Sequence, residues 1–549
     1  MIGAAATTLL TTGCSSGDEP AGSQDPTNTT GAPLDQSAWI PPECQVDPPE
    51  PVIAEAVPGV PSDLVLTSFD DTPIRVHWFP HPDATRAEPA PTVLMGPGWS
   101  LPGDTDVEQV GILGSIDIAT LRAAGYNVLT WDPRGFGDSG GAATVNDKDR
   151  EGRDVQRLLD WVAEQPQVEV EAVGDPRVGM VGGSYGGGIQ LVTSAIDCRV
   201  DAIVPIIAWH SLGTSLYKAE TVKTGWAGVL SDLPTDAVVD PRVASAYADG
   251  TTTGVLSEED REWFLSRGPA ELVEQVRVPT LLVQGTTDTL FTLDEALTNL
   301  AILESNDVPS AMVWYCGGHG ICLTDPGDPE RVATAAVAWL DRWVQGDESV
   351  ETGPRVDLLD QRGDRHTSEA YPEPTSTIDA QGSGTLELAA GGGAGPATAP
   401  DGSREILDSI AAPITPGRAD RAVEVQISFD ADALVIGAPA LELTYSGSTP
   451  DGERPTRVFA QLVDDGTGLV LDNQITPVAV VLDGEQRTVT VPMEVVSYAA
   501  AAGESVTLQL VATTVAYAEP RLGGTIEFTD ISIGLPVVTG LTLADRPGV

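Results

Sequence analysis

Ser184 stands in the run Gly182-Gly183-Ser184-Tyr185-Gly186-Gly187, between the apolar segment VGMVG and a second apolar segment that reads as a helix. A serine on a sharp strand-to-helix turn is held with its hydroxyl clear of the backbone, and glycines around it let strand and helix approach without collision. The helix beginning behind it adds a positive dipole end and free N–H groups. This points to acyl transfer through a covalent serine intermediate, a chemistry that uses no cofactor and no metal. The bland alternative is a Gly-rich turn with a capping serine. A serine hydroxyl is a weak nucleophile and needs a base within hydrogen-bond reach.

The chain holds five histidines, His77, His81, His210, His319 and His366. His319 is the candidate base, because it lies in Cys316-Gly317-Gly318-His319-Gly320 directly after the last core strand expected from the pattern. His77 and His81 belong to an early strand and its end and read as structural. His210 follows a core strand and suits a pocket wall. Asp288, in Gly285-Thr286-Thr287-Asp288 after the strand PTLLVQG, is placed to fix the imidazole tautomer, with Asp294 as the fallback acid. An oxyanion needs two preorganised donors. One is the N–H of Tyr185, the residue after the nucleophile. The other comes from Gly96-Pro97-Gly98-Trp99-Ser100, where Pro97 has no N–H, so Trp99 is the candidate, with Ser100 next. In Asp132-Pro133-Arg134-Gly135, the Asp and Arg read as charge-assisted props for a loop, without a chemical step.

The elements that position these residues follow from periodicity. With 549 residues the chain has three or four domains' worth of length at about 150 residues each. Apolar strands alternate with helical patterns from residue 61 to 350, which predicts a parallel sheet covered on both faces. Residues 209–276 interrupt the alternation with mixed helical sequence and read as a cap. Residues 355–549 alternate apolar and polar positions between Gly, Asp and Pro turns, the pattern of a jelly-roll-like β-sandwich. In the sandwich, the acidic loop 464–473 reads as a hairpin turn. The fold class is therefore α/β with a helical insertion, followed by an all-β domain. Residues 15–60, rich in Pro, Gly, Ser and Thr, read as a tether.

Charge and cysteines set the surroundings. Lys+Arg number 29 against 81 Asp+Glu, a net charge of −52, which excludes nucleic-acid backbones and polybasic membrane docking. After the first dozen residues no apolar run reaches the roughly 18 residues of a membrane span, so the body reads as soluble. Cys14 closes TTLLTTGC before a polar tail, as in a bacterial lipoprotein signal, so residues 1–14 read as that signal. Its apolar stretch is short and no basic residue precedes it. With Cys14 lipidated, the membrane is contacted only through that anchor and the protein is exported. Four cysteines remain for an oxidising compartment, and they allow three pairings. Cys316 and Cys322, six apart, could close a small loop, leaving Cys44 with Cys198; the alternative is four reduced thiols.

Taken together, VLMGPGW, WDPRGFGDSGG, GGSYGGG, LLVQGTTDTLF and GGHG resemble the α/β-hydrolase superfamily, whose chain order of nucleophile, acid and base is that of Ser184, Asp288 and His319. The helical insertion and the C-terminal jelly roll narrow the resemblance to the Xaa-Pro dipeptidyl-peptidase and cocaine-esterase-type serine hydrolases. That resemblance implies that the sandwich packs on the catalytic domain and helps wall the active site. It also implies a small-molecule or peptide substrate. Several members of that group offer a tyrosine hydroxyl to the oxyanion from the loop that here reads GPGWS and has none. The expected function is an exported serine hydrolase of esters or peptides, X-Pro dipeptides among them. The competing expectation is a catalytically inactive envelope lipoprotein that binds peptides or scaffolds. Carboxylates to hold a substrate ammonium are available in the cap at Glu220, Asp232, Asp236, Asp240 and Asp249, though most acidic side chains here read as solvated surface.

Overall fold

The computed structural model describes residues 39, 42–45, 51–108, 116–232, 235–398, 406–449, 456–518 and 522–544. The expected signal and its Cys14, and most of the tether, lie outside the described residues. Seven parallel strands form the centre of one large sheet: Asn127–Trp131, Thr92–Gly96, Val178–Gly183, Val200–Ile206, Thr280–Gly285, Ser310–Tyr315 and Val356–Leu359, in that spatial order. Strands such as Thr92–Gly96 and Thr280–Gly285 are buried at every position, because helices cover both faces and leave no solvent side. On one face Val155, Leu158 and Leu159 of one helix and Ile189 and Leu191 of another share a core with Leu94, Met180 and Ile203. On the other face Ile118, Leu121, Trp339 and Leu340 pack on Val93, Val181 and Val204. Neighbouring strand residues thus supply opposite faces, as the strand period of two requires. Antiparallel strands Pro73–Phe79, Asp63–Thr67 and Ala54–Ala56 extend one edge.

The expected cap is helical, with Leu212–Leu216, Thr224–Asp232, Pro241–Thr253 and Glu258–Leu265 between the strands ending at Ile206 and beginning at Thr280. The sandwich packs two antiparallel sheets around Val425, Ile427, Leu441, Leu443, Val458 and Leu508. Val423–Ser428 alternates buried and exposed at every position, one side on the core and one in water. The sandwich is narrower than 355–549. Val356–Leu359 pairs with Ser310–Tyr315 and is buried throughout, so it belongs to the large parallel sheet. Arg365–Ser368 and Thr542–Leu543 continue that sheet as antiparallel edge strands. A four-residue apolar run does not tell by periodicity which sheet it joins.

The three units meet at ion pairs as well as apolar contacts. Lys218 of the cap places Nζ 2.7 Å from Glu494 of the sandwich and 3.7 Å from Asp294, in the helix after the acid strand. Asp294, the fallback acid, is thus engaged with Lys218 and Glu494. Cys44 is bonded to Cys198, which ties the segment entering the domain to the turn after the helix Tyr185–Ile196.

Buried carboxyls give the fold a pH dependence with a definite sign. Burial pushes Asp201 up to about 8 and Asp472 up to about 7. Both hold a proton in the folded chain that the unfolded chain releases near pH 4, so their contribution is complete below about pH 4 and is lost as pH rises to about 8. Asp70 behaves oppositely: against the upward push of burial, hydrogen bonds from Arg134 hold it down at about 2, and that contribution is lost as pH falls below about 4. Repulsion among the surplus acidic side chains also grows as they ionise. The melting temperature is therefore expected to peak near roughly pH 5 and to fall toward pH 8. Thermal melts at fixed ionic strength between these values check it; a melting temperature that climbs steadily to pH 8 would sink the assignment.

Candidate active site

Ser184 links the strand Val178–Gly183 to the helix Tyr185–Ile196 with φ +56° and ψ −115°, a backbone conformation that residues with a side chain rarely adopt. Its own N–H donates to Ile206 O at 2.9 Å, and its carbonyl accepts from Gly187 and Gly188, each at 2.9 Å, so the strain is held from both sides. A Cβ at Gly186 would run into the Gly96 carbonyl, which is why helix and neighbouring strand meet only through glycine here.

The other two candidates come from the carboxyl ends of the strands Thr280–Gly285 and Ser310–Tyr315, the end of a parallel sheet where ligands collect. The structure brings all three together. His319 Nε2 lies 2.8 Å from Ser184 Oγ, and His319 Nδ1 lies 2.7 Å from Asp288 Oδ2. Asp288 is fully buried, and its Oδ1 accepts from the N–H groups of Leu290 (2.9 Å) and Phe291 (2.8 Å). A carboxylate facing Nδ1 keeps the proton on that nitrogen, which leaves Nε2 free to accept from the serine hydroxyl. The imidazole edge packs against Phe291 and Trp226 at ring separations of 5.0 and 5.6 Å, which shields the pair from water. Gly318, at φ +111°, brings this loop within contact of the acid; a Cβ there would sit 2.7 Å from Asp288 Cβ. Cys316 and Cys322 are bonded to each other, so His319 lies inside a closed loop.

Tyr185 opens its helix, so its N–H has no intrahelical acceptor. Its phenol is pinned, donating to Glu151 Oε1 at 3.1 Å and accepting from Asn146 N at 3.2 Å, and burial pushes it well above the usual tyrosine range. Trp99 packs edge-on against Tyr185 and Phe136, at 5.2 and 5.3 Å, and donates its indole N–H to Leu230 O of the cap at 3.1 Å. Asp132 and Arg134 act as props for neighbouring segments. Asp132 accepts from the N–H groups of Gly103 and Asp138 at 2.8 and 2.7 Å, and Arg134 makes a two-pronged pair with Asp154 at 2.7 Å on each arm.

His210 bonds Asn299 and His366 bonds Asp360, each through one ring nitrogen, and His77 bridges Asp63 and Asp132. Among the cap carboxylates, Glu220 reaches outward to Arg457, Asp240 caps a helix, Asp236 and Asp249 are exposed, and the side chain of Asp232 lies outside the described residues. Sequence reading missed Lys223. Its ammonium is buried beside the acid loop and donates to Thr289 O (3.0 Å) and Leu290 O (2.9 Å), and burial lowers it to about 8. No motif surrounds it; its being one of three lysines in the chain was the only signal.

Residues 74–320 match the model of the X-Pro dipeptidyl-peptidase family S15, a span that contains Ser184, Asp288 and His319. Dipeptidyl aminopeptidase BIII of Pseudoxanthomonas mexicana is 26% identical over 207 residues, 36% of this chain and 27% of that protein. A 31.7 kDa protein of Escherichia coli is 29% identical over 164 residues, 30% of this chain and 55% of that one. The chain thus spans about half the length, or less, of these curated relatives. Among solved structures, an α-amino acid ester hydrolase superposes with a TM-score of 0.66 at 13% identity, covering 92% of this chain and all of that one. A CocE/NonD family hydrolase from Staphylococcus aureus gives 0.61 at 13%, covering 87% and 94%. Identities this low carry the fold, here across both the catalytic domain and the sandwich. By likeness to these solved structures the chain has the α/β-hydrolase fold, and over residues 74–320 it is similar to the X-Pro dipeptidyl peptidases of family S15.

Proposed function

We propose that the protein is an exported hydrolase that cleaves an ester or peptide bond, X-Pro dipeptidyl bonds among them, through an acyl-enzyme on Ser184. The observation that carries this reading is the unbroken hydrogen-bond chain from Ser184 Oγ through His319 to Asp288, at 2.8 and 2.7 Å. In the first half-reaction Ser184 Oγ bonds to the substrate carbonyl carbon while its proton passes to His319 Nε2. Asp288 stabilises the imidazolium and stays ionised. The N–H groups of Tyr185 and Trp99 receive the oxyanion, and the leaving alcohol or amine takes the proton from Nε2 as its bond to carbon breaks. Water then repeats the sequence and releases the acid. The two disulfides support an oxidising compartment, in keeping with export and a lipid anchor at Cys14.

A panel of p-nitrophenyl acyl esters and X-Pro-p-nitroanilides tests the reading. Turnover of the anilides assigns a dipeptidyl peptidase, and turnover of the esters alone assigns an esterase. A protein that turns over neither and takes no fluorophosphonate label would be the inactive binding or scaffolding lipoprotein instead.

A further inference from the structure

We propose that Asn473 and Gln474 of the sandwich, together with Lys223 of the cap, are positioning residues for the base and the acid, gripping both loops from outside the catalytic domain. The proposal rests on the reading of Ser184, His319 and Asp288 as the reacting set. The turn after Asp288 aims the N–H groups of Leu290 and Phe291 at the carboxylate. A turn that directs its donors inward directs its carbonyls outward, and buried carbonyls need donors of their own. Gln474 Nε2 reaches Asp288 O at 2.9 Å and Thr286 O at 3.4 Å. Lys223 Nζ serves Thr289 O and Leu290 O at 3.0 and 2.9 Å. Of this run, Phe291 O is the carbonyl met by the catalytic domain itself, through Gln284 Nε2 at 2.6 Å.

The loop of the base is held in the same way. Asn473 Nδ2 donates to Ile321 O at 2.7 Å, two residues beyond His319 and inside the Cys316–Cys322 loop. Lys223, Asn473 and Gln474 are all buried, at 2%, 3% and 6% exposure, so water does not replace these donors. The turn that presents the two amides is itself constrained. Asp472 and Asn473 both lie in the left-handed region, at φ +48° and +58°, and Asp472 accepts from Ser497 N of the sandwich at 2.6 Å. Backbone strain kept in place by its surroundings, next to a candidate active site, marks a segment that does more than connect. Simple domain glue would be served by apolar contact; here neutral amides are aimed at the carbonyls bracketing the acid and base.

The test uses the full chain with Gln474→Met and Asn473→Gly, the latter chosen because glycine accepts a left-handed backbone. The readouts are the fluorophosphonate labelling rate, KM for a substrate that is turned over, and the low-field proton resonance of the His319 Nδ1–H bridged to Asp288. Each variant is expected to label about tenfold to a hundredfold more slowly, as displacements of about 1 Å do. KM should hold, and the low-field resonance should shift or broaden. Variants that lose only melting temperature, with wild-type labelling of the folded protein and an unmoved resonance, would overturn the proposal. If Gln474→Met does not fold, Gln474→Glu decides: its acid still donates when protonated and repels the two carbonyls when ionised. Its labelling rate relative to wild type should therefore fall from about pH 5 to about pH 8, and a ratio independent of pH would overturn the brace. Wild-type protein that shows the resonance but takes no label would count against the hydrolase reading alone, and the resonance in the variants would still decide the brace.

Discussion

Ser184→Ala is expected to abolish fluorophosphonate labelling and to lower kcat about a millionfold, a barrier increase of about 8 kcal/mol. In the proposed mechanism the serine supplies the atom that forms the covalent bond. His319→Ala should lose a similar factor, because the hydroxyl 2.8 Å away then has no acceptor for its proton. Combining the two should cost little more than either alone, since residues acting as a unit are not additive. Asp288→Asn should lose about ten-thousandfold with KM retained. Its amide keeps the packing of a fully buried side chain but reverses the hydrogen bond that selects the imidazole tautomer. Active-site labelling and steady-state kinetics on the three single variants and the double variant check this. Persistent labelling in Ser184→Ala would mean that another residue does the chemistry.

The second large effect concerns the two disulfides, which should act on different properties. Cys316 and Cys322 are 6 residues apart and Cys44 and Cys198 are 154 apart. In the chain-entropy account, loops of those lengths contribute about 2 and about 5 kcal/mol to stability. Opening the long loop with Cys44→Ser and Cys198→Ser should lower the melting temperature and leave kcat close to wild type. Opening the short loop should act mainly on kcat, with the smaller loss of stability. Gly317, Gly318 and Gly320 surround His319, and a glycine-rich segment without its crosslink samples many conformations. Thr287 Oγ1 on Gly317 O, at 3.0 Å, and Asn473 on Ile321 O restrain it in part. A loss of about tenfold to a hundredfold in kcat is expected for Cys316→Ser with Cys322→Ser, with a smaller fall in melting temperature than opening the long loop causes. Melting curves and kcat for both double variants separate the cases; a short-loop variant with full activity removes the catalytic part of the argument.

What the sequence determined by itself was local or periodic. The turn at Ser184 is legible because glycines on either side of a serine, between an apolar strand and an apolar helix, leave the backbone few alternatives. His319 and Asp288 are legible because each follows a buried strand with an apolar centre, Ala311–Trp314 and Leu281–Val283. The loop Cys316–Cys322 needs only a spacing of six. The tertiary structure decided what depends on residues distant in sequence. Val356–Leu359 joins the large parallel sheet, and not the sandwich, because Ser310–Tyr315 presents a parallel edge to it. Trp99 carries no mark in the sequence of its bond to Leu230, 131 residues away. Asp294 has the composition of an acid partner, yet lies on a helix whose neighbours are Lys218 and Glu494. Gln474 meets the Asp288 carbonyl across 186 residues. An amide side chain can bond any buried carbonyl, so its partner is set by which loop the packed sandwich lays against it, and no motif records that.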